Sequence, residues 1–257
     1  MKILLLADIH SNWPALSAIR EEFDCCLFVG DLVDYGADPI PCIDWIRSAS
    51  AYSVRGNHDH AVAQRVQPRP GEGFRRLAAA TRPLHWAALD PIRTKFLSRL
   101  PVTRDLTLAG QSFHLVHATP RDPMDEYLTG DAAGWRARLT GIDADFVCVG
   151  HTHVQFHLDL TLDRKVPGAN GRSTTETRRI QVINPGSVGQ PRDGDPRAAY
   201  AMIKDGEVSF HRVEYDIDAA LTQLRCAGVD EWAIEFSEQI LRSGGQVDGP
   251  AHTGLAY

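Results

Sequence analysis

The chain has no C-x-x-C pair, no basic excess, no long apolar run and no internal repeat, and each absence removes a class of protein. Its five cysteines, Cys25, Cys26, Cys42, Cys148 and Cys226, are odd in number, and Cys25, Cys26 and Cys148 stand in apolar runs. They read as buried thiols in a reducing compartment rather than as a disulfide framework. Lys and Arg number 27 against 33 Asp and Glu, a formal net charge of -6 with a pI near 6.0. That balance argues against a general grip on a nucleic-acid polymer, which needs basic patches to neutralise phosphates. The opening MKILLLADIH starts like a signal peptide, but Asp8 and His10 interrupt it before an h-region could form. No run approaches the roughly 20 apolar residues of a membrane span. A cytoplasmic protein with a small-molecule partner is expected.

What is present suits a sizeable core: 257 residues, 43% of them hydrophobic. Apolar runs at Ile3–Ala7, Cys25–Val29, Phe113–Val116 and Phe146–Val149 have the continuous character of strands covered on both faces. Helical patterns lie between them, at Pro14–Phe23, Ile40–Ala49 and Leu77–Leu100, the last split by Asp90-Pro91. Later, β-like pieces at Val154–Leu162, Ile180–Ile183, Ala198–Ile203 and Val208–Val213 read as antiparallel meander, with 163–179 a long hairpin loop poor in apolar side chains. In Glu231–Leu241, Trp232, Phe236 and Ile240 form a stripe that is either core-facing or a partner-binding face. The pattern is α/β, with one domain over 1–243 and a flexible C-terminal tail over 244–257.

Chemistry collects at the strand ends. The first run gives Asp8 and His10; the second gives Gly30-Asp31 and then Asp34; a short β-like stretch gives Gly56-Asn57-His58-Asp59; the later runs give His117 and Gly150-His151-Thr-His153. In extended chain, residues i and i+2 share a side, so His151 and His153 would present two imidazoles together, as would Asp8 and His10 a carboxylate and an imidazole. Any one of these can be a polar turn or cap. Together they make a constellation, because parallel strands present their carboxyl ends along the edge where α/β proteins bind ligands.

The series Asp8-x-His10, Gly30-Asp31-x-x-Asp34, Gly56-Asn57-His58-Asp59, His117 and Gly150-His151-x-His153 resembles the calcineurin-like metallophosphoesterase superfamily in content and order. Asn184-Pro-Gly-Ser-Val-Gly-Gln-Pro-Arg192 is similar to its small bacterial members. The resemblance implies a four-layer αββα sandwich of two mixed β-sheets flanked by helices, with a dimetal site at one sheet edge. It implies Asp8, His10, Asp31 and His153 on one metal and Asp31, Asn57, His117 and His151 on the other. Mixed imidazole and oxygen ligation favours Mn, Fe or Zn. A hydroxide bridging ions roughly 3.5–4 Å apart would attack phosphorus, and the site would carry about one unit of positive charge. His58 would face the substrate as the acid, with Asp34 orienting it, although each residue type is also common as a cap or loop group.

The substrate is less constrained. Asp34-Tyr35-Gly36 stands where the family's phosphoprotein phosphatases carry Asp-Arg-Gly, which counts against a protein phosphatase. Arg192 is either a bidentate phosphate donor or a surface arginine in a polar turn. Arg65, Arg69, Arg75 and Arg76 form either a substrate-contacting lid or a solvated loop. The sequence thus points to a metal-dependent phosphoesterase acting on a small-molecule or nucleotide-like phosphodiester or phosphomonoester. A dinucleoside polyphosphate hydrolase and a non-catalytic protein-binding scaffold are the alternatives.

Overall fold

The first apolar runs become the centre of a sheet. β1 (Lys2–Leu6) pairs in parallel with β2 (Cys25–Phe28), which pairs in parallel with the two-residue β3 (Tyr52–Ser53). On its other side β1 pairs antiparallel with β9 (Ala198–Lys204), and β9 with β10 (Glu207–Val213). The computed structural model describes residues 1–49, 51–167 and 173–246. The second sheet runs in the order β4 (Thr103–Leu108), β5 (Gln111–Val116), β6 (Phe146–Cys148), β8 (Ser173–Pro185), β7 (Gln155–Pro167). Here β5, β6 and β8 are mutually parallel, and each outer strand is antiparallel to its neighbour. The result is two mixed five-stranded sheets.

Strand alternation assigns side chains to layers. Leu4, Leu6, Cys26 and Phe28 point away from the second sheet into a cluster shared with Leu16 of α1 (Trp13–Ala18) and Ile43 of α2 (Pro39–Ser48). Val62 of α3 (Asn57–Ala63) and Leu97 of α5 (Pro91–Arg99) join that cluster. Ile3, Leu5, Leu27 and Val29 point the other way, against Phe113, Leu115, Phe146 and Cys148, with the Phe113 and Phe146 rings stacked at 4.9 Å. Val147 and Val182 face outward beneath Trp135 and Leu139, Trp135 lying in α6 (Ala132–Arg138). This is the expected helix–sheet–sheet–helix order. α4 (Phe74–Ala88) packs on α8 (Glu231–Ser243) through Leu77, Phe236 and Ile240, so the stripe on α8 faces a core, and α7 (Ile217–Ala227) completes the layer. None of the described helices is long and apolar enough to cross a membrane.

Several expectations are corrected. The helix expected to reach Phe23 ends at Ala18, where buried Ile19 turns to an extended conformation and the chain heads for β2. The long loop expected at 163–179 is largely strand: β7 continues to Pro167 and β8 begins at Ser173. Backbone ladder bonds need no apolar side chains, and polar cross-strand contacts such as Thr177 to Asp163 (3.1 Å) and Arg179 to Asp159 (2.8 Å) line it. The expected tail begins at Gly244, which is instead the left-handed cap of α8 and whose carbonyl accepts a hydrogen bond from Gly194 N (2.9 Å). Its remainder, 247–257, lies outside the described residues.

The break between α4 and α5 falls at Asp90-Pro91. The Asp90 carboxylate accepts from the backbone N–H of Ile92 (2.8 Å) and Arg93 (2.9 Å), closing the first turn of α5. Asp90→Ala removes that cap, and a loss of about 1 kcal/mol in folding stability is expected from urea denaturation, with an unchanged m-value.

Candidate metal centre

The site forms where the strands stop. Asp8, His10, Asp31, Asp34, His151 and His153 all have left-handed φ, between 48° and 75°, just beyond the ends of β1, β2 and β6. Non-glycine residues avoid this region, at a cost of about 1–3 kcal/mol each, and strain of this kind clusters at functional sites. Asp8 and His10 still come together in one group, as expected, but the geometry of the second i, i+2 pair changes. His151 and His153 do not share one side of an extended chain; the left-handed turns separate them into different groups.

Asp8, His10 and His153 form one buried group, and Asp31, His117 and His151 the other, the ligand atoms of each lying within 4.8 Å of one another. Asp31 stands between the groups: its Oδ2 is 3.1 Å from His117 Nε2 and 3.8 Å from His10 Nε2. Its Oδ1 accepts the His58 backbone N–H (2.9 Å), so the oxygen facing both groups is the same one. Asn57 Oδ1 lies 3.2 Å from His117 Nε2. Asp8 accepts the His151 N–H on both oxygens, at 3.2 and 3.0 Å, and its Oδ1 lies 3.4 Å from His153 Nε2.

The imidazoles are fixed from behind by backbone carbonyls. His10 Nδ1 donates to Val33 O (3.1 Å), His117 Nδ1 to Val29 O (2.8 Å) and His153 Nδ1 to Gln190 O. With hydrogen on Nδ1, a neutral ring presents a bare lone pair at Nε2, the tautomer that ligates metals. Burial pushes the pKa of His10 and of His153 well below the usual range, so both rings are neutral. Their Nε2 atoms nevertheless stand 3.2 Å apart. Two lone pairs at that separation repel unless a cation lies between them, and nitrogens about 2.1 Å from one ion stand roughly 3 Å apart. The donor set and its spacing therefore fit a metal.

The second group is electrostatically tighter. Burial opposes ionisation of both Asp31 and His117, but their mutual attraction outweighs it, holding the carboxyl well below its usual range and the imidazole up at about 9. Burial and the neighbouring His117 charge press His151 down to about 3.

Asp59, which ends the GNHD motif without an assigned role in the sequence reading, organises the loops. It accepts from the backbone N–H of Asp31 (2.9 Å), Leu32 (2.8 Å), Val33 (3.3 Å) and Gly56 (3.1 Å), tying the end of β2 to the start of α3. Burial and the Asp31 charge raise its carboxyl to about 6, against the pull of those N–H groups. Glycine at position 56 is required by space: a Cβ there would stand 2.0 Å from Asp31 Oδ1. The Asn184–Gln190 segment supports the other side. Ser187 Oγ donates to Asp8 O (2.7 Å), and Asn184 Nδ2 to Gly150 O (2.7 Å) and Thr152 Oγ1 (3.0 Å).

His58 lies beside both groups, its ring 5.0 Å from that of His10 and its Nδ1 2.8 Å from Asp34 Oδ2. That same oxygen accepts Nε (2.8 Å) and Nη2 (2.6 Å) of buried Arg82. Burial pushes the Asp34 carboxyl up, but His58 and Arg82 outweigh it and hold it at about 2. His85 Nδ1 accepts the Asp34 backbone N–H (2.9 Å). Arg82 and His85 gave no sequence signal, because their partner is 48 and 51 residues away. Burial raises the Asp8 carboxyl well above its usual range, against the charges of His117 and Arg192, and Arg192 stacks 4.0 Å above the Phe74 ring.

Asp59→Asn keeps the shape but puts an amide N–H where N–H groups already converge. Mn²⁺ affinity, measured by titration calorimetry, is expected to fall about 10–100-fold. Gly56→Ala, by displacing Asp31, is expected to abolish stoichiometric Mn²⁺ binding in the same assay.

The calcineurin-like phosphoesterase superfamily domain model matches residues 1–206. An uncharacterized protein of Methanocaldococcus jannaschii is 32% identical over 249 residues, covering 91% of this chain and 96% of the relative. The crystal structure of a metallophosphoesterase from Sphaerobacter thermophilus is 31% identical with a TM-score of 0.73, covering 95% of this chain and 100% of that one. A hypothetical protein from Pyrococcus horikoshii OT3 has the same TM-score at 21% identity, over 96% of this chain and 99% of its own, a likeness of fold alone. With the family model spanning most of its length and two buried candidate metal-binding groups at the sheet edge, the chain belongs to the calcineurin-like phosphoesterase superfamily.

Proposed function

We propose that this protein is a dimetal hydrolase of a small-molecule or nucleotide-like phosphodiester or phosphomonoester. The observation that carries the reading is the pair of bare, neutral imidazole nitrogens of His10 and His153, 3.2 Å apart beside the Asp31 oxygen that faces both groups. Asp8, His10, Asp31 and His153 would hold one ion, and Asp31, Asn57, His117 and His151 the other. The nitrogen and oxygen donors suit Mn, Fe or Zn. Bound there, two such ions would supply Lewis acidity toward phosphoryl oxygens and lower the pKa of water.

The chain's own residues would do the rest. Asp31 keeps the two groups in fixed relation, and the Val33, Val29 and Gln190 carbonyls hold the imidazoles in the ligating tautomer. Asp34 fixes the His58 ring through Nδ1, leaving Nε2 as the position for a proton to reach the leaving oxygen. Arg82 anchors Asp34 and so takes no part in gripping phosphate itself. Arg192 would neutralise a phosphoryl oxygen. The acidic surface supports a small molecule rather than a nucleic-acid polymer as partner, and the unpaired, mostly buried thiols support a reducing, cytoplasmic location.

Metal-stripped protein resupplied with Mn²⁺, Fe²⁺ or Zn²⁺ is expected to recover hydrolysis of bis-p-nitrophenyl phosphate or p-nitrophenyl phosphate. Asp31→Asn should lose both activity and metal content. His58→Gln should keep its metals, by elemental analysis, while kcat falls about 10²–10⁴-fold. Metal-loaded wild type that cleaves neither ester nor a dinucleoside polyphosphate would sink the catalytic reading and leave the scaffold alternative.

A further inference from the structure

The turn that sends His151 and His153 to different groups is centred on Thr152, which is buried and engaged through each of its polar groups. Its N–H donates to Gly150 O (2.7 Å), and its Oγ1 accepts from Asn184 Nδ2 near the end of β8 (3.0 Å). Its carbonyl accepts from the hydroxyl of Tyr127 (2.9 Å). Gly150 and Asn184 belong to the sheet edge itself. Tyr127 does not: it comes from the segment 118–127, which leaves β5 after His117, and no motif in the sequence points to it.

That segment is closed on itself and tied down from behind. The N–H groups of Ala118 and Thr119 donate to Pro123 O and Asp122 O, both at 3.1 Å. Glu126, next to Tyr127, is a hub that accepts from Thr119 Oγ1, from Arg121 Nη2, and from Nε (3.2 Å) and Nη2 (2.6 Å) of Arg138 at the end of α6. Charge-assisted bonds of this kind fix direction as well as position. They deliver Tyr127 to the site with its hydroxyl on Thr152 O and its ring edge-on to that of His151, 5.7 Å between centroids. The His151 ring also meets the His117 ring edge-on, at 5.0 Å.

The two histidines of the turn are supported differently. His153 has its Nδ1 on Gln190 O, and its carbonyl accepts from Arg192 N (3.3 Å), anchors that owe nothing to Tyr127. The backbone N–H of His151 is held by Asp8, while its imidazole packs against the rings of His117 and Tyr127. We propose that Tyr127 is a positioning residue for the second metal ion. Its hydroxyl holds the peptide between Thr152 and His153, and its ring holds the His151 imidazole. The group of Asp31, Asn57, His117 and His151 therefore depends on Tyr127 more than the group of Asp8, His10 and His153 does. This rests on the two-ion reading of the site.

The test is stepwise Mn²⁺ titration of the metal-stripped full chain by calorimetry, with Asn57→Ala marking which binding event belongs to the His151 group. Tyr127→Phe keeps the ring and removes the hydroxyl; Tyr127→Leu removes the ring as well. The event that Asn57→Ala weakens is expected to weaken about tenfold in Tyr127→Phe and about 100-fold in Tyr127→Leu, the range for groups that orient a metal ligand. The other event should shift less than threefold in both. A purely structural role would loosen the two events together, so equal weakening overturns the proposal. If the wild type takes up two ions and the Tyr127 variants do so with unaltered affinity, this inference fails alone. If the wild type binds no second ion, the two-ion reading fails and this inference falls with it.

Discussion

The hydrogen bonds from four backbone N–H groups to the Asp59 carboxylate are the constraint on which the site depends. Three come from the turn after β2 and one from the residue that begins α3, so one buried side chain sets the spacing between the Asp31 turn and the Asn57-His58 pair. The regular elements in that corner are short. β3 has only two residues, and Asn57 and His58 sit in the first turn of a seven-residue helix. Asp59 substitutes for the longer ladder that would otherwise hold such a turn.

Around that point conformations that are disfavoured singly are concentrated. Six residues that carry or position the chemistry adopt left-handed backbone, and buried carboxylate and imidazole atoms lie within 4.8 Å of one another in each group. Each is disfavoured alone; together they are supported by clusters on both faces of the first sheet and by the Asn184–Gln190 segment beneath Asp8 and Gly150.

The fold was legible in the sequence where burial is two-sided. The runs at Ile3, Cys25, Phe113 and Phe146 are strands because both faces are covered, and apolar content alone marks them. It was not legible where polar backbone pairing does the work, as in β7 and β8 beyond Leu162, or where an edge strand such as β4 exposes alternate residues. α3, α6 and α7 escaped notice too, the first two having seven residues each and too few turns for a periodic signal. For the site, the motif residues could be named, but the grouping of His151 and His153 could not be derived from extended geometry, because left-handed turns send them to different groups while Asp8 and His10 stay together. Arg82, His85 and Asp59 act through partners distant in sequence or through backbone atoms, which leave no local pattern.

Each of the two candidate metal-binding groups draws on both sheets. Asp8 and His10 follow β1 and Asp31 follows β2, whereas His117 follows β5 and His151 and His153 follow β6. The distances within each group are therefore set by how the two sheets seat on one another through Leu5, Leu27, Phe113 and Phe146. A buried methyl group far from the edge is in effect a calibration screw for the donor atoms, and a shift between the sheets retunes both groups at once.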